Sequence, residues 1–165
     1  GALAAAASSG LPVCLMHRQG EPQNMQHSPE YSEPVERAVA AYLSERIDAC
    51  EAAGLRRHRL LIDPGFGFGK TVEHNLRLLK YMESLLALDL PILVGMSRKS
   101  MIGKVLGRPV EERLAGGLAL SAMAVHRRAP ILRGHRLGPT VDAVNMAWAV
   151  LQEGCEPPVD KELSL

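Results

Sequence analysis

Apolar residues in this chain alternate between two rhythms. Short unbroken runs, Leu11-Pro12-Val13-Cys14-Leu15-Met16, Leu60-Leu61-Ile62 and Pro91-Ile92-Leu93-Val94, are separated by longer stretches with apolar positions at helical spacing. Such runs suit strands covered on both faces, as in a parallel sheet. Ile131-Leu132, after Pro130, is the core of a fourth, very short strand. Between the runs, Val35, Val39, Leu43, Ile47 and Cys50 define an amphipathic helix stopped by Gly54. Val72, Leu76, Leu79, Met82 and Leu86 define another, with a single apolar stripe. Pro109-Val110-Glu111-Glu112 opens a further helix, with proline and acids where the first turn favours them. Gly116-Gly117 inside that helix implies close packing against a neighbour. Val141, Val144, Trp148 and Leu151 carry the last helix, with Thr140 as its N-cap. The alanine-rich start, closed by Ser8-Ser9-Gly10, reads as the end of a helix that begins upstream.

The order is strand then helix, four times over, which predicts an α/β fold with a parallel sheet and right-handed crossovers. Gly20 to Pro34 is polar, holds three prolines and reads as a long loop. Beyond Gly154 the Pro-Pro and acidic tail reads as disordered. Each strand ends in polar chemistry: His17, Asp63, Ser97 to Ser100, and Arg133 with His135. Parallel α/β sheets place their sites at that C-terminal edge.

At 165 residues, 47% apolar, 22% charged and a net charge of +1, the composition is that of one soluble domain, and near-neutrality removes the simplest argument for a nucleic-acid partner. No apolar run approaches the ~18 residues of a membrane span. Cys14, Cys50 and Cys155 are odd in number and lack metal-ligand spacing, so all three read as thiols of a reducing, cytoplasmic compartment. Cys14 and Cys50 are expected to be buried.

The densest chemistry lies in Asp63-Pro64-Gly65-Phe66-Gly67-Phe68-Gly69-Lys70, where glycine alternates with the only two phenylalanines. Alternating glycine lets a backbone approach a ligand closely, and the aromatics suit a flat one. Equally, the stretch reads as a structural turn in which Asp63 caps backbone amides and the rings plug the sheet end. Gly69-Lys70-Thr71 ends like a phosphate-binding P-loop, but the required first glycine is Pro64, which has no N–H to give. The dinucleotide fingerprint fails too, because Lys70 stands where its third glycine belongs.

LPVCLMHRQG at Leu11 to Gly20, LIDPGFGFGK at Leu61 to Lys70, VGMSRKSMIG at Val94 to Gly103 and the Arg-x-His at Arg133 to His135 together resemble the C-terminal half of the dihydropteroate synthase family, the sulfonamide target of folate biosynthesis. The resemblance implies the last four βα units of a TIM (β/α)8 barrel, a fold of about 250 residues. Residues 1–154 would form a partial pterin-binding domain whose upstream half is missing, followed by the tail at 155–165. It also implies a transferase that joins p-aminobenzoate to 6-hydroxymethyl-7,8-dihydropterin diphosphate and releases pyrophosphate. The isolated fragment would be inactive, or an inactive half-barrel that still binds pterin weakly. The Mg2+ of the family would be held by an asparagine upstream of this chain, and the parent would be a homodimer.

Carried over position by position, Asp63 would accept from the pterin's amino and ring N–H groups. Lys99 would donate to its carbonyl and ring nitrogen, Arg133 would lie on its face, and Met16 and Gly95 would form walls. Arg133 and His135 would bind the departing pyrophosphate, Phe68 and Lys99 would pack on p-aminobenzoate, and Ser100 would hold its carboxylate. Lys99, Arg133 and His135 are thus the expected catalytic residues. The family's usual Arg-Val-His-Asp departs here, with Gly134 for valine and Arg136 for aspartate. A competing class treats His126 to Arg136, with four arginines and two histidines, as a nucleic-acid patch.

Overall fold

Each apolar run becomes a strand because its neighbours in the sheet and the helices above can cover it. The computed structural model describes residues 1–20 and 29–152; the tail, Cys155 and residues 21–28 of the proline-rich loop lie outside the described residues. Helix α1 (Ala2–Ser9) ends at Gly10 in the left-handed region, as its sequence predicts, and leads into β1 (Val13–Met16). Then follow α2 (Val35–Ala52), β2 (Leu60–Asp63), α3 (Val72–Lys80), β3 (Leu93–Val94), α4 (Ser100–Leu106), α5 (Leu114–His126), β4 (Ile131–Leu132) and α6 (Leu137–Leu151).

β1 and β2 pair in parallel from Val13 with Leu60 to Met16 with Asp63, and β3 and β4 pair Leu93 with Ile131 and Val94 with Leu132. A parallel bridge between Ile62 and Ile92 joins the two ladders, so the spatial order follows the chain order. Four consecutive parallel strands with helices between them form half the wall of a β/α barrel. The register brings Met16 and Asp63 side by side and places Val94 and Leu132 at one level, so all four strand exits share an edge.

The core lies between the sheet and α2 and α3. Val39, Leu43 and Ile47 of α2 meet Leu60 and Ile62 of β2, with Leu78 and Leu79 of α3 beside them. Arg77 makes two hydrogen bonds to the buried Glu36 carboxylate, at 2.8 and 2.7 Å, tying α3 to the first turn of α2. The arginine holds that carboxyl below its ordinary pKa. Gly116 bears out its prediction: a Cβ there would come within 2.6 Å of Ile102, so α5 packs directly on α4.

Four expectations are corrected. The single stripe from Val72 to Leu86 does not form one helix; α3 stops at Tyr81, and a 3-10 segment, Met82–Leu88, continues. Its tighter winding changes the phase, burying Leu85 in place of Leu86, while Leu76 lies within α3 but off the side that Leu78 and Leu79 bury. Val110–Glu112 forms a separate 3-10 turn, and the helix proper begins at Leu114. Thr140 is not an N-cap but lies inside α6, its hydroxyl donating to the Arg136 carbonyl at 2.6 Å. Pro139 fits within that first turn, where a missing N–H costs nothing, so the helix starts earlier than the threonine suggested. Cys14 is exposed rather than buried, because only the Val13 and Leu15 face of β1 packs on the core and Cys14 points to the opposite face. Cys50 is buried as expected.

Candidate functional site

Asp63 ends β2 with its side chain 4% exposed. One carboxylate oxygen accepts the Gly65 N–H at 2.7 Å, an Asx turn made possible because Pro64 between them needs no partner for its nitrogen. Its other oxygen faces Arg133, whose Nη2 lies 3.5 Å away, an ion pair rather than a tight hydrogen bond. The structural turn and the ligand-facing carboxylate are therefore both present, one on each oxygen. The two phenylalanines also divide the roles: Phe66 is 1% exposed and plugs the core, while Phe68 is half-buried beneath Lys99, whose Nζ sits 3.9 Å from the ring centre.

Lys99 precedes α4 and Arg133 follows β4, so the two cations come from separate strand ends. The Arg133 guanidinium lies flat across Gly95, where a Cβ would be 2.8 Å from Nη2. A side chain at Gly95 would push that guanidinium out of its present position beside Asp63. Burial pushes the Asp63 carboxyl up, while the Gly65 N–H, Arg133, Lys99 and Lys70 pull it down. Lys99 is pulled below its usual value by burial and by Arg133, with Asp63 opposing. The loop itself is braced by Asn75, whose Oδ1 accepts the Gly67 N–H at 2.7 Å, and by Tyr31, whose hydroxyl donates to the Gly69 carbonyl at 2.9 Å.

A family profile described as pterin binding enzyme matches residues 1–135. The chain belongs to the pterin binding enzyme family. It is 49% identical over 151 residues to the dihydropteroate synthase of Escherichia coli strain K12, covering 92% of this chain and 53% of that one. Among solved structures it resembles the Yersinia pestis dihydropteroate synthase in complex with a sulfonamide drug, with TM-score 0.90, 46% identity and coverage of 93% of this chain and 56% of that one. It also resembles the Xanthomonas albilineans dihydropteroate synthase in complex with 7,8-dihydropteroate, with TM-score 0.83, 43% identity and coverage of 92% and 55%. The chain therefore spans about half the length of the relatives it matches, and its fold is half of their TIM barrel.

In this member of the family the strand ends bring Met16, Asp63, Phe68, Gly95, Lys99 and Arg133 to one edge of the sheet. His135 lies on its rim, Nδ1 at 3.1 Å from the Ser97 hydroxyl, so the Gly134 and Arg136 departures leave it anchored to the β3 exit. Gly134 accommodates Thr140, 3.3 Å from where its Cβ would be. Ser100 is the exposed first residue of α4. The P-loop resemblance ends at Lys70, whose Nζ is enclosed by His17 and two loop carbonyls. The arginines of His126 to Arg136 do not form one patch, since Arg127 pairs with Glu83 before β4 and Arg133 pairs with Asp63 after it. Sequence reasoning missed Lys70, Asn75 and Tyr31 as supports of the site; only the glycine alternation signalled that something presses closely on this loop.

Proposed function

We propose that this chain supplies the pterin and p-aminobenzoate pocket of a dihydropteroate synthase, which transfers the dihydropterin-CH2 group from 6-hydroxymethyl-7,8-dihydropterin diphosphate to p-aminobenzoate. The observation that carries the reading is the convergence of Asp63, Lys99 and Arg133 from three strands beside an aromatic ring. A flat heterocycle with N–H donors on one side and acceptors on the other matches a carboxylate facing cations. Asp63 would take the pterin's donors, Lys99 its carbonyl and ring nitrogen, and Met16 and Gly95 would wall the ring, with Arg133 lying against its face. As the C–O bond to the leaving group breaks, negative charge grows on pyrophosphate, and Arg133 and His135 would hold it more tightly than in the ground state. Phe68 and Lys99 would pack on p-aminobenzoate, with Ser100 on its carboxylate. The substrate's own aniline nitrogen attacks, so no side-chain nucleophile is required. Lys99, Arg133 and His135 act on the reacting groups in this scheme.

The complexes of the two relatives, one with 7,8-dihydropteroate and one with a sulfonamide drug, support the same ligand classes and make this chain a candidate sulfonamide target. Magnesium is part of the reading, but the described residues bring no three His, Cys, Asp or Glu side chains together as its ligands. Its donors would come from outside this chain, and no step above runs through it. Turnover would need the half of the relatives that this chain does not span, so the 165-residue chain alone is expected to bind without catalysing. No helix among the described residues is long and apolar enough to cross a membrane, and we place the enzyme in the cytoplasm with no nucleic-acid partner.

Titration calorimetry with 6-hydroxymethyl-7,8-dihydropterin tests the pocket. Asp63→Asn keeps the shape but trades a charged acceptor for an amide, and the affinity is expected to fall about a hundredfold, roughly 2–3 kcal/mol. Unchanged binding heat in that variant would show that the pocket is misassigned.

The assembly is part of the same reading. α6 has no buried residue and exposes Val141, Met146 and Val150, with Met123 of α5 beside it, and β1 and β4 leave open sheet edges. An apolar face of this kind is expected to be covered by a second copy, as in a homodimer. Light scattering should give at least twice the 17.9 kDa of one chain, and a monodisperse monomer would count against it.

A further inference from the structure

One buried cation has no part in the scheme above. Lys70 closes the glycine loop, is 4% exposed, and has its Nζ 2.9 Å from His17 Nδ1, 3.0 Å from the Gly65 carbonyl and 3.2 Å from the Phe68 carbonyl. The three contacts use every hydrogen-bonding direction an ammonium has. Burying such a group costs several kcal/mol before pairing, and among the described residues no carboxylate is bonded to it. Asp63, the nearest acid, is engaged by Gly65 and Arg133. A methionine of similar length would avoid that cost but could make none of the three contacts.

The partners show what that geometry does. His17 leaves β1, whereas Gly65 and Phe68 belong to the loop after β2, so a single head group bridges two loops. Those loops already touch at backbone distance: a Cβ on Gly65 would fall 1.7 Å from the His17 carbonyl oxygen, and one on Gly69 would fall 2.4 Å from that of Gln19. Phe68 donates its own N–H to the Gly65 carbonyl at 3.1 Å and gives its carbonyl to Lys70, so its backbone is held at both ends beneath the Lys99 cation. Gly65 is also the residue whose N–H orients Asp63. On the far side, the Tyr42 ring packs edge-on against His17 with centroids 5.0 Å apart, and Tyr31 lies 6.1 Å away. Burial and then the Lys70 cation hold His17 down to about 4, so it faces the ammonium as a neutral acceptor.

We propose that Lys70 is a positioning residue: its head group, held between His17 and the carbonyls of Gly65 and Phe68, locks the β1 and β2 loops together and fixes where Phe68 and Asp63 meet a ligand. The consequence for ligand rests on the pocket proposed above; the lock itself does not.

The test uses the whole 165-residue chain and Lys70→Met. By NMR, the His17 ring should titrate at higher pH once the cation and its hydrogen bond are gone, a change that a merely space-filling lysine would not produce. Exchange of the Phe68 amide should accelerate at least tenfold with the far-ultraviolet dichroism unchanged, and affinity for 6-hydroxymethyl-7,8-dihydropterin should fall about tenfold. Should Lys70→Met fail to fold, His17→Phe keeps the ring against Tyr42 and removes only the acceptor; Phe68 exchange should then rise severalfold. If neither variant alters Phe68 exchange, the lock is refuted. If exchange and titration move while pterin affinity holds, the positioning role is refuted. If they move and the unmodified chain takes up no pterin at all, the pocket assignment fails and the lock stands.

Discussion

Gly65→Ala is expected to destabilise the folded chain by about 3–5 kcal/mol, a large share of the roughly 5–15 kcal/mol available to a domain. Two costs combine. Gly65 sits at φ 71°, where an alanine pays about 1–2 kcal/mol against a β-carbon clash with its own backbone. The added Cβ would also stand 1.7 Å from the His17 carbonyl oxygen, which is main chain and has no rotamer to retreat into. Relief requires the β1 and β2 loops to separate, breaking the Asp63 turn and the Lys70 contact to the Gly65 carbonyl. Gly54→Ala is the control: at φ 88° it bears the same backbone penalty, but nothing lies within 4 Å of its Cβ. Gly54→Ala should therefore cost only about 1–2 kcal/mol, and the difference between the two measures the loop contact alone. Thermal or urea unfolding reads both, and equal losses would mean that the two loops are not pressed together.

That contact shows where reading the sequence succeeds and where it stops. The βα alternation was legible because strand and helix each impose a local period, and the four strand exits followed from topology without any tertiary contact being known. Asp63, Lys99 and Arg133 could be named among the polar residues at those exits, with the family resemblance supplying their expected roles. Their support could not be. His17 and Lys70 are 53 residues apart, and no local pattern announces that an ammonium will leave a loop to meet a histidine from the preceding strand. Within elements, the errors share a cause: Leu86 and Thr140 were placed by extending one period or one cap rule past the point where a 3-10 segment or Pro139 reset the phase. Cys14 is exposed against expectation because an unbroken apolar run does not show that only one face of its strand will meet the core.

Stability should fall steeply as the pH drops below 6.5, and His17 is the group responsible. Its ring is held neutral in the folded chain, with burial and the neighbouring Lys70 cation lowering it from 6.5 to about 4. Between those two values the unfolded chain binds a proton that the native chain refuses, so acid favours unfolding; below about 4 both states are protonated and the loss stops growing. From neutrality to about pH 4.5 the loss is about 2–3 kcal/mol from this one ring. The raised Asp63 carboxyl works the other way, since the native state takes its proton first just above the ordinary carboxylate value, while the lowered Glu36 carboxyl adds to the loss at still lower pH. Lys70 continues the trend on the alkaline side: lowered from 10.5 to about 7 by burial, it lets stability rise with pH across that window. Urea unfolding of the parent chain and of His17→Phe at both ends of the acid range separates the contributions. The variant has no ring to protonate, so whatever its absolute stability, the difference between its values at neutral pH and at about pH 4.5 should shrink by about 2–3 kcal/mol. An identical acid slope in the two proteins would mean that His17 titrates normally, and that the buried pair joining the two loops does not exist in solution.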